Sequence, residues 1–289
     1  MYWQNEVEKI LTEHSAKPVK IHGISSVGGG SINDAFRLET SVGNFFVKVN
    51  SASRYPRMFE KEALGLKMLS ATQTLSVPDI VAFGETGNDS FLLLSFIESR
   101  PQTSNFWSQF GEQLADLHRH SNPTFGLDHN NYIGSLIQHN NTHETWADFF
   151  REERLEPQLK QARDQGHVDS EVSRAFQRFY RQLDQLFPNE PPTLLHGDLW
   201  SGNFMSGNQG EPVIVDPAVY FGHREMDLAM SQLFGGFSSH FYEAYHSTFP
   251  LENGWRKRLD YCNLYPLMVH VNLFGGGYLS SVKSILRSF

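Results

Sequence analysis

Trp3, Val7, Ile10 and Leu11 recur at three- and four-residue intervals, a period that predicts one amphipathic helix at the start of the chain. The pattern then changes. β-rich runs over 19–27, 34–40 and 45–50, separated by Gly, Ser and Asn, predict a small antiparallel sheet. A helical pattern over 57–70 interrupts it, and Phe91-Leu92-Leu93-Leu94 restores a short buried strand. Beyond Phe96 the apolar residues fall at helical spacing over 106–120, 146–164, 171–187, 224–234 and 254–287, with Gly275-Gly276-Gly277 interrupting the last. Leu194-Leu195-His196 and Val213-Ile214-Val215 are too short for helices and read as small strands or loops within a helical lobe. The expected fold is α+β and two-lobed. A β-rich amino-terminal lobe covers 1–97, a hinge lies near 95–98, and a helical carboxyl-terminal lobe covers 98–289. A cleft between such lobes is where ligands usually bind.

At 289 residues and 39% hydrophobic content the chain can fill a core, which excludes a disordered reading. A net charge of -8 and a pI near 5.9, without any run of Lys and Arg, give no footprint for a nucleic-acid partner. Cys262 is the single cysteine, so an internal disulfide is excluded and a reducing, cytoplasmic setting is expected. The start of the chain lacks the basic-then-apolar order of a signal peptide, and no apolar stretch reaches membrane-spanning length, so no membrane partner is expected. Among the histidines, His143-Glu144 has no second His four residues on, and zinc-ligand spacing is absent. His118-Arg119-His120 ends a helix, where imidazoles sit near exposed carbonyls.

The strongest chemical signal is His196-Gly197-Asp198-Leu199-Trp200-Ser201-Gly202-Asn203 followed by Val213-Ile214-Val215-Asp216-Pro217. Phosphoryl transfer from ATP needs one carboxylate to orient the attacking hydroxyl, and a second carboxylate with an amide oxygen to hold Mg²⁺ against the phosphates. Asp198 is the expected catalytic base, with Asn203 and Asp216 as the metal ligands. The five-position offset from Asp198 to Asn203 matches the H-R-D-x-x-x-x-N loop, and Asp216 ends a strand where the D-F-G aspartate would lie. Either segment alone would be an ordinary turn or strand stop; their order and spacing together point to a protein-kinase-like fold.

Such a site needs a cation for the phosphates, and Lys48 in Phe45-Phe46-Val47-Lys48 is the candidate strand lysine. Met58, Glu62, Leu66 and Leu69 share one helical stripe, so Glu62 faces inward and needs a partner that Lys48 can supply. Gly28, Gly29, Gly30 and Ser31 lie between two strands ahead of Lys48, where backbone amides can cover phosphates; taken alone the segment is a flexible hairpin turn. Ser95, Phe96 and Ile97 offer backbone groups and apolar faces to an adenine, or form a plain buried strand.

These motifs resemble the aminoglycoside phosphotransferase and choline kinase superfamily, in which glycine replaces the arginine of the protein-kinase catalytic loop. Five segments carry a narrower resemblance, to the fructosamine (ketosamine) kinase family: Gly28 to Asn33, Phe59 to Leu66, His196 to Asn203, Tyr220 to Met230, and Asn272-Leu273-Phe274-Gly275-Gly276-Gly277-Tyr278. The resemblance implies a ketoamine substrate, free or protein-bound, phosphorylated on the third carbon of its sugar. It also implies that Asp227 helps to order the catalytic loop and that Trp200 and His223 lie near the acceptor. From the residues alone, Asp227 could equally cap the helix beginning near Arg224, and Trp200 could be core; an aromatic face beside a catalytic loop does suit a sugar ring. Ser31 stands where some relatives have cysteine, which removes a thiol switch at that loop. The competing functions are another small-molecule kinase, acting on an aminoglycoside, choline-like or sugar acceptor, and a non-catalytic nucleotide-binding module. A module without turnover has no need of the base Asp198.

Overall fold

Side chains along the strand Gly43–Ser51 alternate between the two faces of a five-stranded sheet, and each face is covered by one helix. In the computed structural model, which describes residues 2–28 and 32–289, the elements of this part are α1 (Tyr2–Ser15), β1 (Ile21–Ser26), β2 (Asp34–Thr40), β3 (Gly43–Ser51), α2 (Met58–Ala71), β4 (Ile80–Thr86) and β5 (Asp89–Ser95). The sheet order is β1-β2-β3-β5-β4, antiparallel throughout. Val47, Val49, Phe91 and Leu93 face Trp3, Val7 and Leu11 of α1, whereas Leu92 and Leu94 face Phe59, Ala63 and Leu66 of α2. Period two on the strands and period 3.6 on the helices therefore divide the apolar residues into two cores. They also decide where Lys48 goes. It lies opposite Leu92 in the register, on the α2 face.

The chain continues with α3 (Phe106–Leu117), the hairpin β6 (Asn131–Ile133) and β7 (Leu136–Gln138), and α4 (Trp146–Phe149). A π-helical turn at Phe150–Leu155 leads into α5 (Glu156–Asp164), followed by α6 (Ser170–Tyr180), α7 (Leu183–Leu186) and β8 (Thr193–Leu195). The hairpin of β9 (Phe204–Ser206) and β10 (Pro212–Ile214) comes next, then β11 (Tyr220–Gly222), α8 (Glu225–Leu233), α9 (Ser239–Thr248), α10 (Trp255–Cys262), α11 (Leu264–Phe274) and α12 (Leu279–Leu286). Two compact units result: one of residues up to Phe106 with Gly202–Pro217, the other of Trp107–Ser201 with Ala218–Phe289.

The β9–β10 hairpin belongs to the first unit because its backbone is bonded there. The Ile214 N–H donates to the Ser76 carbonyl at 3.0 Å, the Thr103 N–H to the Gly210 carbonyl at 3.2 Å, and the Glu98 N–H to the Asn208 side chain at 2.8 Å. In the second unit β8 pairs antiparallel with β11. Several elements differ from the periodicity. The long helical stretch over 146–164 is divided by the π turn and Pro157, the one over 254–287 breaks at Asn263 as well as at the glycines, and β4, β6, β7, β9, β11 and α9 have no counterpart in it. Among the described residues no helix is long and apolar enough to cross a membrane.

Candidate active site

Strand parity places Lys48 under α2, and the helical stripe turns Glu62 toward it. The Lys48 ammonium donates to both oxygens of Glu62 at 2.9 Å and to Oδ1 of Asp216 at 2.9 Å. Three charged groups thus meet within the first unit. The Lys48 and Glu62 side chains are 7% and 10% exposed, but that of Asp216 is 45% exposed, so its carboxylate is the one open to a ligand. Burial alone would depress the Lys48 pKa; the attraction of Asp216 and Glu62 overrides this and holds it above the ordinary lysine value. Burial pushes the Glu62 carboxyl up, with Lys48 pulling against the rise and Asp216 adding to it. Of these effects the charge on Lys48 is the one fixed by geometry, since an ammonium with three carboxylate contacts has no favourable way to lose its proton.

Asp216 follows β10 in the left-handed region, φ 55°, a conformation that aspartate tolerates better than most residues and that turns its carboxylate back toward Lys48. Buried Asn203 supports this turn from the other arm of the hairpin. Its amide donates to the Asp216 carbonyl at 3.5 Å, and its own carbonyl accepts from the Val215 N–H at 3.0 Å.

In the second unit the segment His196-Gly197-Asp198 leaves β8 and is fastened on two sides. The His196 carbonyl accepts from the Ala218 N–H at 2.9 Å. From α8, Asp227 accepts the backbone N–H of His196 at 2.7 Å and that of Gly197 at 2.9 Å. Gly197 has φ 84°, and a Cβ there would come within 2.1 Å of the Ala218 carbonyl oxygen, so an arginine cannot take its place. Asp227 is 1% exposed and meets Nε2 of buried His118 at 3.2 Å, while Nδ1 of that ring meets the Tyr245 hydroxyl at 2.8 Å. Asp227 therefore orders the loop instead of only capping its helix. His118, expected near exposed carbonyls, is wholly buried against it.

Asp198 and Trp200 are both partly exposed, and the Trp200 N–H donates to the Asp198 carbonyl at 3.1 Å. His223 is enclosed, its ring 5.8 Å from that of Trp146 and 5.3 Å from that of Phe187, with Nε2 3.8 Å from Glu190. Burial pushes its pKa down to about 4, against the pull of Glu190. Ser95 closes β5: its hydroxyl accepts from the Asp79 N–H at 2.9 Å. Phe96 and Ile97 follow, partly exposed, with the Arg37 guanidinium 4.8 Å over the Phe96 ring. Gly28 is exposed just after β1, and Gly29, Gly30 and Ser31 lie outside the described residues.

Sequence reasoning missed several supports of this loop. Asn131 and Gln138 donate to the carbonyls of Val219 at 2.8 Å and Ala218 at 3.0 Å, and Arg154 lies 3.9 Å over the Tyr220 ring, buried and bonded to Asn140. A signal existed for His118. It continues the four-residue spacing of Phe110 and Leu114, which places it just past the end of α3 in line with the buried face of that helix.

The fold and the charged trio define a kinase-like phosphotransferase. A solved choline/ethanolamine kinase family protein from Mesorhizobium loti shares the fold at TM-score 0.58 and 13% identity, over 98% of this chain and 92% of that one. The fructosamine kinase family model matches residues 2–289, and the chain belongs to that family. It is similar to the chloroplastic protein-ribulosamine 3-kinase of Arabidopsis thaliana, 43% identical over 98% of this chain and 86% of that protein. A probable ketoamine kinase of Synechocystis sp. is 40% identical over 99% of this chain and 96% of that one. A solved structure from Haemophilus somnus 129PT, assigned by name as a fructosamine-3-kinase, superposes at TM-score 0.90 with 28% identity, covering 99% and 98% of the two chains.

Proposed function

We propose that the protein is an ATP-dependent ketosamine 3-kinase, phosphorylating the sugar 3-hydroxyl of fructosamine- or ribulosamine-type glycated amines in the cytoplasm. The observation that carries this reading is family membership over residues 2–289; the Lys48–Glu62–Asp216 trio supports the chemistry. Bound Mg-ATP supplies the phosphoryl group and the cationic charge that shields its phosphates. Lys48, held by Glu62, contacts the phosphates, with Gly28, Gly29, Gly30 and Ser31 covering them and Ser95, Phe96 and Ile97 at the adenine. Among the described residues no three His, Cys, Asp or Glu side chains gather to hold a metal. Mg²⁺ does not need such a cage, because one or two protein oxygens plus phosphates and water complete its shell. Half-exposed Asp216 and its neighbour Asn203 fit that requirement. Asp198 orients the sugar 3-hydroxyl and accepts its proton. Trp200 offers a ring face to the sugar, whereas His223, expected near the acceptor, is enclosed by Trp146 and Phe187 at 1% exposure and has no surface to offer it directly.

These roles separate two nucleotide variants. Lys48→Ala weakens binding of ATP with and without Mg²⁺ by about 10- to 100-fold, the scale of a charged hydrogen bond. Asp216→Ala weakens Mg-ATP binding by a similar factor but metal-free binding much less. Calorimetric titration checks both, and normal Mg-ATP binding by Asp216→Ala would remove the metal role from that residue.

The acceptor is tested by the fate of the product. Phosphate on carbon three of a ketoamine is a leaving group next to the carbonyl carbon. Enolisation toward carbon one expels it, and hydrolysis then frees the amine and a deoxy dicarbonyl sugar. A glycated lysine derivative incubated with the protein and Mg-ATP gains one phosphoryl group, then releases inorganic phosphate and unmodified lysine. Mass spectrometry over time checks this, with a borohydride-reduced ketoamine as the comparison lacking the carbonyl. A stable product, or transfer only to an aminoglycoside or choline-like acceptor, rules out the assignment.

A further inference from the structure

The segment Asn272-Leu273-Phe274-Gly275-Gly276-Gly277-Tyr278 has no part in the roles assigned so far, yet a row of ring contacts links it to Trp200. The Trp200 ring meets Phe234 edge-on at 5.9 Å, Phe234 lies 4.9 Å from His270, and His270 lies 5.5 Å from Phe274 and 4.9 Å from Tyr278. All five belong to the second unit, and the row begins two residues after Asp198. It is open to solvent. Phe234 is 38% and Phe274 57% exposed, and in this unit the only other exposed large apolar residue among those described is Ile137. Exposed aromatic side chains gathered in one row, instead of scattered, mark a binding surface.

The backbone is shaped to keep the row against the catalytic loop. Gly236, at φ 99°, lets the chain after Phe234 pass so close to Ser201 that a Cβ would stand 2.7 Å from that residue's own Cβ. Gly275, at φ 87°, ends α11 immediately after Phe274 and lets Tyr278 return toward His270. His270 donates from Nδ1 to the Pro266 carbonyl at 2.7 Å, which leaves Nε2 as an acceptor in the neutral ring. Burial lowers the pKa of His270, with the Pro266 carbonyl opposing, so the ring adds no positive charge to the row at neutral pH. An uncharged aromatic row with one nitrogen acceptor attracts an ammonium by the ring quadrupoles and an apolar substituent by burial.

We infer that Phe234, His270, Phe274 and Tyr278, continuing from Trp200 at the sugar, form the subsite for the amine half of the acceptor, taking a protonated secondary amine that bears an aryl or alkyl substituent. The inference rests on the ketosamine reading and deepens it: the sugar lies by Asp198 and the row reads what the sugar is attached to. Specificity for the amine then depends on how much apolar surface that group brings.

The test measures binding without ATP turnover, by calorimetric titration with two ketoamines of the same sugar, one made from benzylamine and one from methylamine. The wild type binds the benzylamine adduct about tenfold or more tightly than the methylamine adduct, the scale expected for covering a phenyl ring. Phe234→Ala and Phe274→Ala each cut this ratio to about threefold or less, and the double variant brings it near one. Ile137→Ala, exposed but outside the row, keeps the wild-type ratio. Equal affinity for the two adducts in the wild type, an unchanged ratio in both Phe variants, or an equal loss in Ile137→Ala overturns the inference. A separate phosphate-transfer assay keeps the two readings apart. If the ratios behave as stated but no ketoamine is phosphorylated, the subsite stands and the kinase reading falls; if transfer occurs without the preference, the reverse holds.

Discussion

Asp198→Asn lowers the rate of phosphoryl transfer by about 10²- to 10⁴-fold and leaves nucleotide affinity within about threefold of the wild type. The substitution keeps the size and one acceptor oxygen of the side chain but removes its capacity to take a proton. Its effect therefore falls on the acceptor hydroxyl and not on the nucleotide, whose charged contacts are assigned to Lys48 and Asp216. The loop itself is held from its backbone, by Asp227 on His196 and Gly197 and by the Ala218 N–H on His196, so the variant folds as the wild type does. Single-turnover rates with a ketoamine acceptor, with nucleotide titration alongside, check the two halves of the statement. A variant that turns over near the wild-type rate, with an unaltered circular dichroism spectrum, takes the base assignment away from Asp198.

The parts of this site that were legible from sequence are those governed by local periodicity. The helical stripe fixed the face of Glu62, and a buried carboxylate near a strand lysine has few other partners to choose from. The glycine at 197 could be seen but not explained until the chain brought the Ala218 carbonyl to it. Long-range supports were invisible for the same reason. Nothing local marks Gln138 and Asn131, and only the return of the chain at Ala218 and Val219 gives them acceptors. β4 was hidden because its pattern alternates weakly, with every position of Ile80–Thr86 at least partly exposed on an edge strand. α9 was hidden because Phe241 and Tyr245 are its only buried positions, too few to set a period in a polar stretch. His118 is the instructive miss: its spacing from Leu114 gave its face, but its polar neighbours Arg119 and His120 made the whole tripeptide look like a solvated helix end.

Asp227 is where fold and chemistry are most tightly joined, and its removal is expected to weaken both. Its two oxygens accept three donors, the His196 and Gly197 N–H groups and His118 Nε2, in a place that is 1% exposed. Asp227→Ala leaves these donors with little access to water, at about 1–3 kcal/mol each for an unmade buried bond. Some relaxation is inevitable, so the expected loss is about 3–5 kcal/mol, seen as a fall in melting temperature of roughly 10 °C. Transfer falls by about 100-fold as well, because a small displacement of the loop misplaces Asp198. Asp227→Asn keeps one acceptor oxygen but turns an NH₂ toward a backbone donor, so it lies between the alanine variant and the wild type. The pH dependence distinguishes the charge from mere packing. Burial would raise the Asp227 carboxyl, but the hydrogen bond and charge of His118, with His196 and the Gly197 N–H, bring it below the ordinary 3.8. A carboxyl depressed in the folded state contributes stability above its unfolded value and loses it as pH falls through the folded one. The melting-temperature gap between wild type and Asp227→Asn is therefore largest near neutral pH and closes below about pH 4. Thermal unfolding followed by circular dichroism across that range checks it. A gap that stays constant with pH means that shape and not charge holds the loop; a melting-temperature loss without any fall in kcat means that Asp227 supports the fold but does not position Asp198.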